Sequence, residues 1–174
     1  MQAGVATLER LNRAGRDELE RALGPVFEHS PWIAARVADA RPFASVEALH
    51  AAMVAVVRRA SRQEQLALLR AHPDLAGRAA RAGTLTSASA SEQSSAGLDR
   101  LDDEEYERFG RLNAAYREKF GFPFIIAVRR HDKRQILAAF ETRLGNTEAQ
   151  EMVTALAQVF KIARLRLAGL IAER

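Results

Sequence analysis

The sequence predicts an all-α protein, and three observations carry that prediction. Apolar residues recur at three- and four-residue intervals along most of the chain. Pairs of the capping-box form stand before several of these runs: Ser61 with Glu64, Ser89 with Glu92, Asp102 with Glu105, Thr147 with Gln150. Only Phe122-Pro123-Phe124-Ile125-Ile126-Ala127-Val128 reads as extended, and no partner strand is visible elsewhere. The expected architecture is a single-domain helical bundle over residues 1–174, with a buried extended segment near residues 122–128.

Taken in order, residues 5–28 carry Leu8, Leu11, Leu19, Leu23, Val26 and Phe27, the pattern of two short helices broken near Asn12 to Gly15. Gly24-Pro25 and Arg41-Pro42-Phe43 mark turns, and Trp32, the only tryptophan, is expected to anchor the core. Ser45 is an N-cap for a helix from about Val46 to Arg59. His50 lies on that helix and reads as a solvated or partly packed side chain. The Ser61–Glu64 box starts a helix at Arg62, and Pro73 disfavours helical backbone at His72 and ends it. Residues 79–96 are rich in serine and threonine and read as a long polar loop entering a helix, with Ser89 as its cap. Asp102 opens a helix with an aromatic stripe through Tyr106, Phe109, Asn113, Tyr116 and Phe120, closed by Gly121. After the apolar run come a helix from about Asp132 to Leu144 and a last one, capped by Thr147, that extends past Leu170. Arg166 on this last helix reads as a snorkelling surface arginine.

Composition narrows the function. Hydrophobic residues make up 48% and charged residues 28%, which places the chain in the globular class. The absence of cysteine excludes disulfides, thiolate zinc sites and cysteine nucleophiles. No apolar run approaches the roughly 20 residues that a membrane span needs. Neither a secretory pattern at Met1-Gln2-Ala3-Gly4 nor a peroxisomal address at Ala172-Glu173-Arg174 is seen, so the expected location is cytoplasmic, with no membrane partner. The net charge is +4, and only Lys119, Lys133 and Lys161 among 26 basic residues are lysine. An arginine-rich, non-enzymatic nucleic-acid-binding module is therefore the alternative class. Against it, the arginines are scattered among 22 acids and no aromatic platform accompanies them, so no nucleic-acid partner is expected.

The four histidines are far apart and no metal-ligand spacing occurs. There is no glycine-rich phosphate loop and no Gly-x-Ser-x-Gly elbow. Acid–base chemistry on a small polar molecule is the simplest enzymatic class left, without metal or cofactor. His72 is the first candidate. It stands at a helix C-terminus, where the helix dipole favours the imidazolium, on a corner stiffened by Pro73. Its ordinary structural role would be a capping histidine in a helix-ending turn.

Five motifs occur in order: Phe27-Glu28-His29-Ser30-Pro31-Trp32; His72-Pro73-Asp74-Leu75; Ser89-Ala90-Ser91-Glu92-Gln93-Ser94-Ser95-Ala96-Gly97-Leu98; Phe120-Gly121-Phe122-Pro123-Phe124-Ile125; and Ile162-Ala163-Arg164-Leu165-Arg166-Leu167. Together they resemble the OHCU decarboxylase family over essentially the whole chain. The resemblance implies an all-α, cofactor-free enzyme, a homodimer, that converts 2-oxo-4-hydroxy-4-carboxy-5-ureidoimidazoline (OHCU) to (S)-allantoin in urate breakdown. By motif, it implies that His72 and Glu92 are catalytic. It also implies that Pro73, Ser89, Gln93, Phe124, Ile125, Ile126, Ala127, Val128 and Arg166 contact substrate. Arg164 competes with Arg166 for that last role. Ala127-Val128 and Arg129-Arg130 depart from the family's usual forms, a change that backbone contacts would tolerate.

Overall fold

Caps and periodicity set the helices. Thr7 caps α1 (Leu8–Arg13), and the break at Ala14-Gly15 leads into α2 (Arg16–Leu23). Ser45 caps α4 (Val46–Arg59), accepting a hydrogen bond from the Ala48 amide. Between them lies α3 (Trp32–Val37). Ser61 and Glu64 exchange backbone-to-side-chain bonds of 2.9 and 3.2 Å at the start of α5 (Arg62–Arg70). Then follow α6 (Arg78–Ala82), α7 (Ser87–Ser95) and α8 (Asp103–Phe120). The reciprocal Asp102–Glu105 box opens α8, and Gly121 closes it with φ of 76°. Asp132 with Gln135 boxes α9 (Lys133–Leu144), and Thr147 with Gln150 boxes α10 (Glu148–Leu170).

This computed structural model describes residues 6–172, and over them the fold is all-α, as expected. The described residues fall into two compact units. One comprises those of Met1–Leu68 with those of Phe160–Arg174; the other is Leu69–Val159. In the first, α3 packs on α2 and α4 around Leu19, Ile33, Val37, Leu49, Met53 and Val57. In the second, α8 packs on α9. Tyr116, Phe124 and Phe140 form an aromatic cluster there, with the Phe124 and Phe140 rings stacked 3.7 Å apart.

Several expectations need correction. The last helix stops at Leu170, and Ile171–Ala172 then pair in parallel with Ala6–Thr7, a two-residue strand contact that the apolar pattern did not announce. Trp32 is only half-buried: it starts α3 and lies under the Arg36 guanidinium, 4.6 Å from the ring centre. The polar stretch 79–96 is mostly helical. Its second helix is capped by Thr86, whose hydroxyl accepts from the Ser89 amide. Ser89 therefore lies inside α7, and the Ser89–Glu92 capping box does not form. A second hydroxyl three residues earlier won the cap. Arg166 is no surface arginine, since its side chain is 8% exposed.

Candidate active site

The second unit assembles three segments. The first is the corner after α5. The His72 amide donates to the Leu69 carbonyl at 3.2 Å, turning the chain as Pro73 requires. His72 is 7% exposed. Beyond Pro73 the backbone reaches φ of 51° at Ala76, a conformation that side-chain-bearing residues seldom adopt. Gly77 follows with no room for a Cβ, which would meet Asp74 Cβ at 2.9 Å. The second segment is α7, with Ser89, Glu92 and Gln93 buried. They are spaced three and four apart and so share one face. The third is the run Phe122–Val128, buried throughout.

Side chains cross-tie these segments. The Gln93 carbonyl oxygen accepts from the Ala76 amide at 2.9 Å, and its amide nitrogen donates to the Asp74 carbonyl at 3.3 Å. The helix that carries Glu92 is thereby bolted to the corner that carries His72. Downstream of the apolar run, the 3₁₀ turn Val128–Arg130 packs on α7, where Arg129 donates to the Ser91 hydroxyl at 3.1 Å.

Among the described residues the apolar run has no sheet neighbour, so its peptide groups find other partners. The Ile125 carbonyl accepts from Arg143 at 2.7 Å, and the Ala127 amide donates to the Gln158 side chain at 3.0 Å. Arg143 is buried against Glu151, which is fully buried, with nitrogen–oxygen distances of 2.9–3.2 Å. Glu151 also accepts from the Tyr116 hydroxyl and from Asn146. Burial alone would raise the Glu151 pKa, but hydrogen bonds from Arg143, Tyr116 and Asn146 hold it below the ordinary carboxylate value. Burial, then the bond to Glu151, pushes the Tyr116 hydroxyl well above its ordinary value.

Arg166 belongs to the other unit. It pairs with Glu28, 2% exposed, at 2.9 Å and donates to the Pro25 carbonyl at 3.2 Å. Arg164 turns elsewhere, to Glu47, and keeps a side chain 29% exposed. Of the two arginines, Arg166 is the buried one. His50 is held by the Phe160 carbonyl at 2.8 Å, consistent with a packed role.

Sequence reasoning passed over four groups. Glu28 was visible as part of a motif but carried no assigned role. Arg143, Glu151 and Gln158 sit in ordinary amphipathic helices, and nothing in their spacing marks them.

Among the described residues, no cluster of His, Asp or Glu could hold a metal ion. Among the same residues, no helix is long and apolar enough to cross a membrane. A cavity in the second unit, bordered by Ala76, Arg81, Gln93 and Tyr106, does not include His72 or Glu92. Its polar groups engage one another: Ser94 donates to Asp99 at 2.8 Å, and Arg81 stacks on Tyr106.

The sequence pattern of the OHCU decarboxylase family matches residues 12–168. The chain belongs to the OHCU decarboxylase family. A 2-oxo-4-hydroxy-4-carboxy-5-ureidoimidazoline decarboxylase of Haloferax volcanii is 49% identical over 162 residues, covering 93% of this chain and 94% of that protein. The uric acid degradation bifunctional protein PucL of Bacillus subtilis is 42% identical over 97% of this chain, which spans 33% of its length. A crystal structure of (S)-allantoin synthase superposes with a TM-score of 0.77 at 36% identity, over 96% of this chain and 54% of that one. The nucleic-acid-binding alternative finds no support in this family. Many arginines stand in exposed ion pairs, among them Arg10–Glu18, Arg36–Glu64, Arg108–Glu141 and Arg117–Asp74.

Proposed function

We propose that this member of the OHCU decarboxylase family removes carbon dioxide from OHCU to give (S)-allantoin, using His72 and Glu92 and no cofactor. The observation that carries the assignment is the burial of His72 and Glu92, at 7% and 8% exposure, on two segments tied by Gln93. Buried ionisable side chains held on converging segments are where proton transfer is arranged.

The substrate supplies its own electron sink. When the bond to the carboxylate breaks, the electron pair passes into the adjacent carbon–nitrogen system of the ring, and carbon dioxide leaves. A proton must then reach one face of the carbon that bears the ureido group. The His72 imidazolium donates it and becomes neutral. Glu92 orients His72 or the substrate hydroxyl, takes up the hydroxyl proton as the ring carbonyl forms, and passes it to the ring nitrogen that received the electron pair, so that the proton from His72 is the one net proton gained. Pro73, Ser89, Gln93 and the backbone of Phe124, Ile125, Ile126, Ala127 and Val128 hold the ring and ureido amides, which fixes the face that is protonated. The resemblance also implies that Arg166, which pairs with Glu28 at 2.9 Å, contacts substrate; such an arginine aids catalysis only where it favours the charge of the transition state over the ground-state carboxylate. The family resemblance extends the proposal to a cytoplasmic homodimer, which sedimentation at several concentrations tests.

The deciding experiment supplies freshly generated OHCU and follows optical rotation. Rapid formation of one allantoin enantiomer, lost in His72→Ala, is expected. A wild-type protein that does not accelerate the reaction overturns the assignment. Dialysis against EDTA is expected to leave the rate unchanged; a rate that collapses and returns with zinc or manganese overturns cofactor independence.

A further inference from the structure

The buried face of α8 reads Phe109, Asn113, Tyr116, Phe120: three aromatic rings and one amide. Asn113 is 5% exposed. Its amide nitrogen donates to the Leu75 carbonyl at 2.8 Å, and its oxygen is buried with no hydrogen-bond partner among the described residues. A leucine would fill that space without stranding a polar atom. Packing therefore does not account for the asparagine, whereas the bond to Leu75 does.

That bond falls on the corner next to His72. Pro73 has no N–H, so the corner cannot be pinned by a donor at that residue. Besides the His72 amide bond to the Leu69 carbonyl, the next three residues restrain it. Asp74 accepts from Gln93 at its carbonyl and from Arg117, at 2.8 Å, at its carboxylate. Leu75 accepts from Asn113, and Ala76, at φ of 51°, donates to Gln93. Without these bonds Ala76 would relax toward ordinary backbone and carry the preceding residues with it. Gln93 also has a proposed place at the substrate, and Arg117 lies at the surface with 44% of its side chain exposed. Asn113 is the buried restraint with no other task.

We propose that Asn113 is a positioning residue for His72, acting through the Leu75 carbonyl to hold the corner from which the imidazole is aimed. The inference rests on His72 as the proton donor, and it predicts a change at the imidazole that can be seen without any turnover. Asn113→Leu removes the donor and the stranded oxygen together. Asn113→Asp keeps the shape and removes the donor.

In both variants the ring resonance of His72, identified by its absence from His72→Ala, should shift or broaden, while those of His50 and His131 stay. The value of kcat should fall by about tenfold to a hundredfold, the scale of a misplacement near 1 Å, with KM changed far less. If the wild type proves inactive on OHCU, the functional reading fails while the resonance still decides the structural one. A His72 resonance unmoved in both variants overturns the inference, whatever the rate. So does a moved resonance in an active enzyme with unchanged kcat. Failure of both variants to fold makes Asn113 a packing residue and overturns it as well.

Discussion

At the scale of single residues, the consequential finding is that Glu92 is not a helix cap. Thr86 holds that place, and Glu92 lies buried within α7. Glu92→Gln keeps size and polarity. The variant should lose most decarboxylase activity while its melting temperature stays within a few degrees of wild type. Equal rates in parallel assays would remove Glu92 from the chemistry. Thr86→Ala makes the opposite prediction. Losing an N-cap costs about 1 kcal/mol, so stability should drop by that order, with activity reduced only as far as the first turn of α7 frays around Ser89. Thermal melts beside rates separate the two residues.

At the scale of elements, the extended segment depends on a buried charge. Arg143 reaches the Ile125 carbonyl only because Glu151 neutralises it, and its guanidinium also lies over the Phe124 ring at 4.3 Å. Removing one partner of such a pair costs about 3–5 kcal/mol, because the other charge is left buried. Arg143→Met should therefore destabilise by that amount in denaturant melts and loosen residues 124–128 in amide exchange. A loss under 1 kcal/mol would show the pair to be dispensable. The elements themselves were legible in the sequence wherever a cap and a period agreed. The boxes at Ser61, Asp102 and Thr147 set true helix starts because each side chain needs only its own next turn. Where two hydroxyls compete, as Thr86 and Ser89 do, local pattern cannot rank them. His72 and the apolar run could be singled out as candidates from the residues, and Glu92 through the family resemblance. Gln158, Arg143 and Asn113 could not, because their partners are between 18 and 38 residues away and no local rule reaches that far.

At the scale of the whole molecule, charge governs the response to pH and salt. Glu151 has its folded pKa depressed below the ordinary 4.5, so the stability it contributes is complete above that value and is lost as pH falls through the folded pKa. Glu64, held down to about 2 by the Arg36 hydrogen bond and its own cap, acts in the same direction. Wild type should lose stability as pH drops below about 4.5, and Glu151→Gln, already weaker at neutral pH, should show a shallower acid limb. Tyr116 titrates high, so its contribution is intact below pH 10 and is lost only as pH rises further. Most other pairs are exposed, where each is worth about 0–1 kcal/mol and is screened by salt. Moderate salt should therefore move the neutral-pH melting temperature little. The segment 122–128 carries a further consequence, for substitution surveys. Its peptide groups at Ile125 and Ala127 are gripped by side chains that lie elsewhere in the chain. The aliphatic identities at 125–128 should therefore exchange freely for others of similar volume, while Arg143 and Gln158 tolerate almost nothing. The fidelity of this stretch is written in residues outside it.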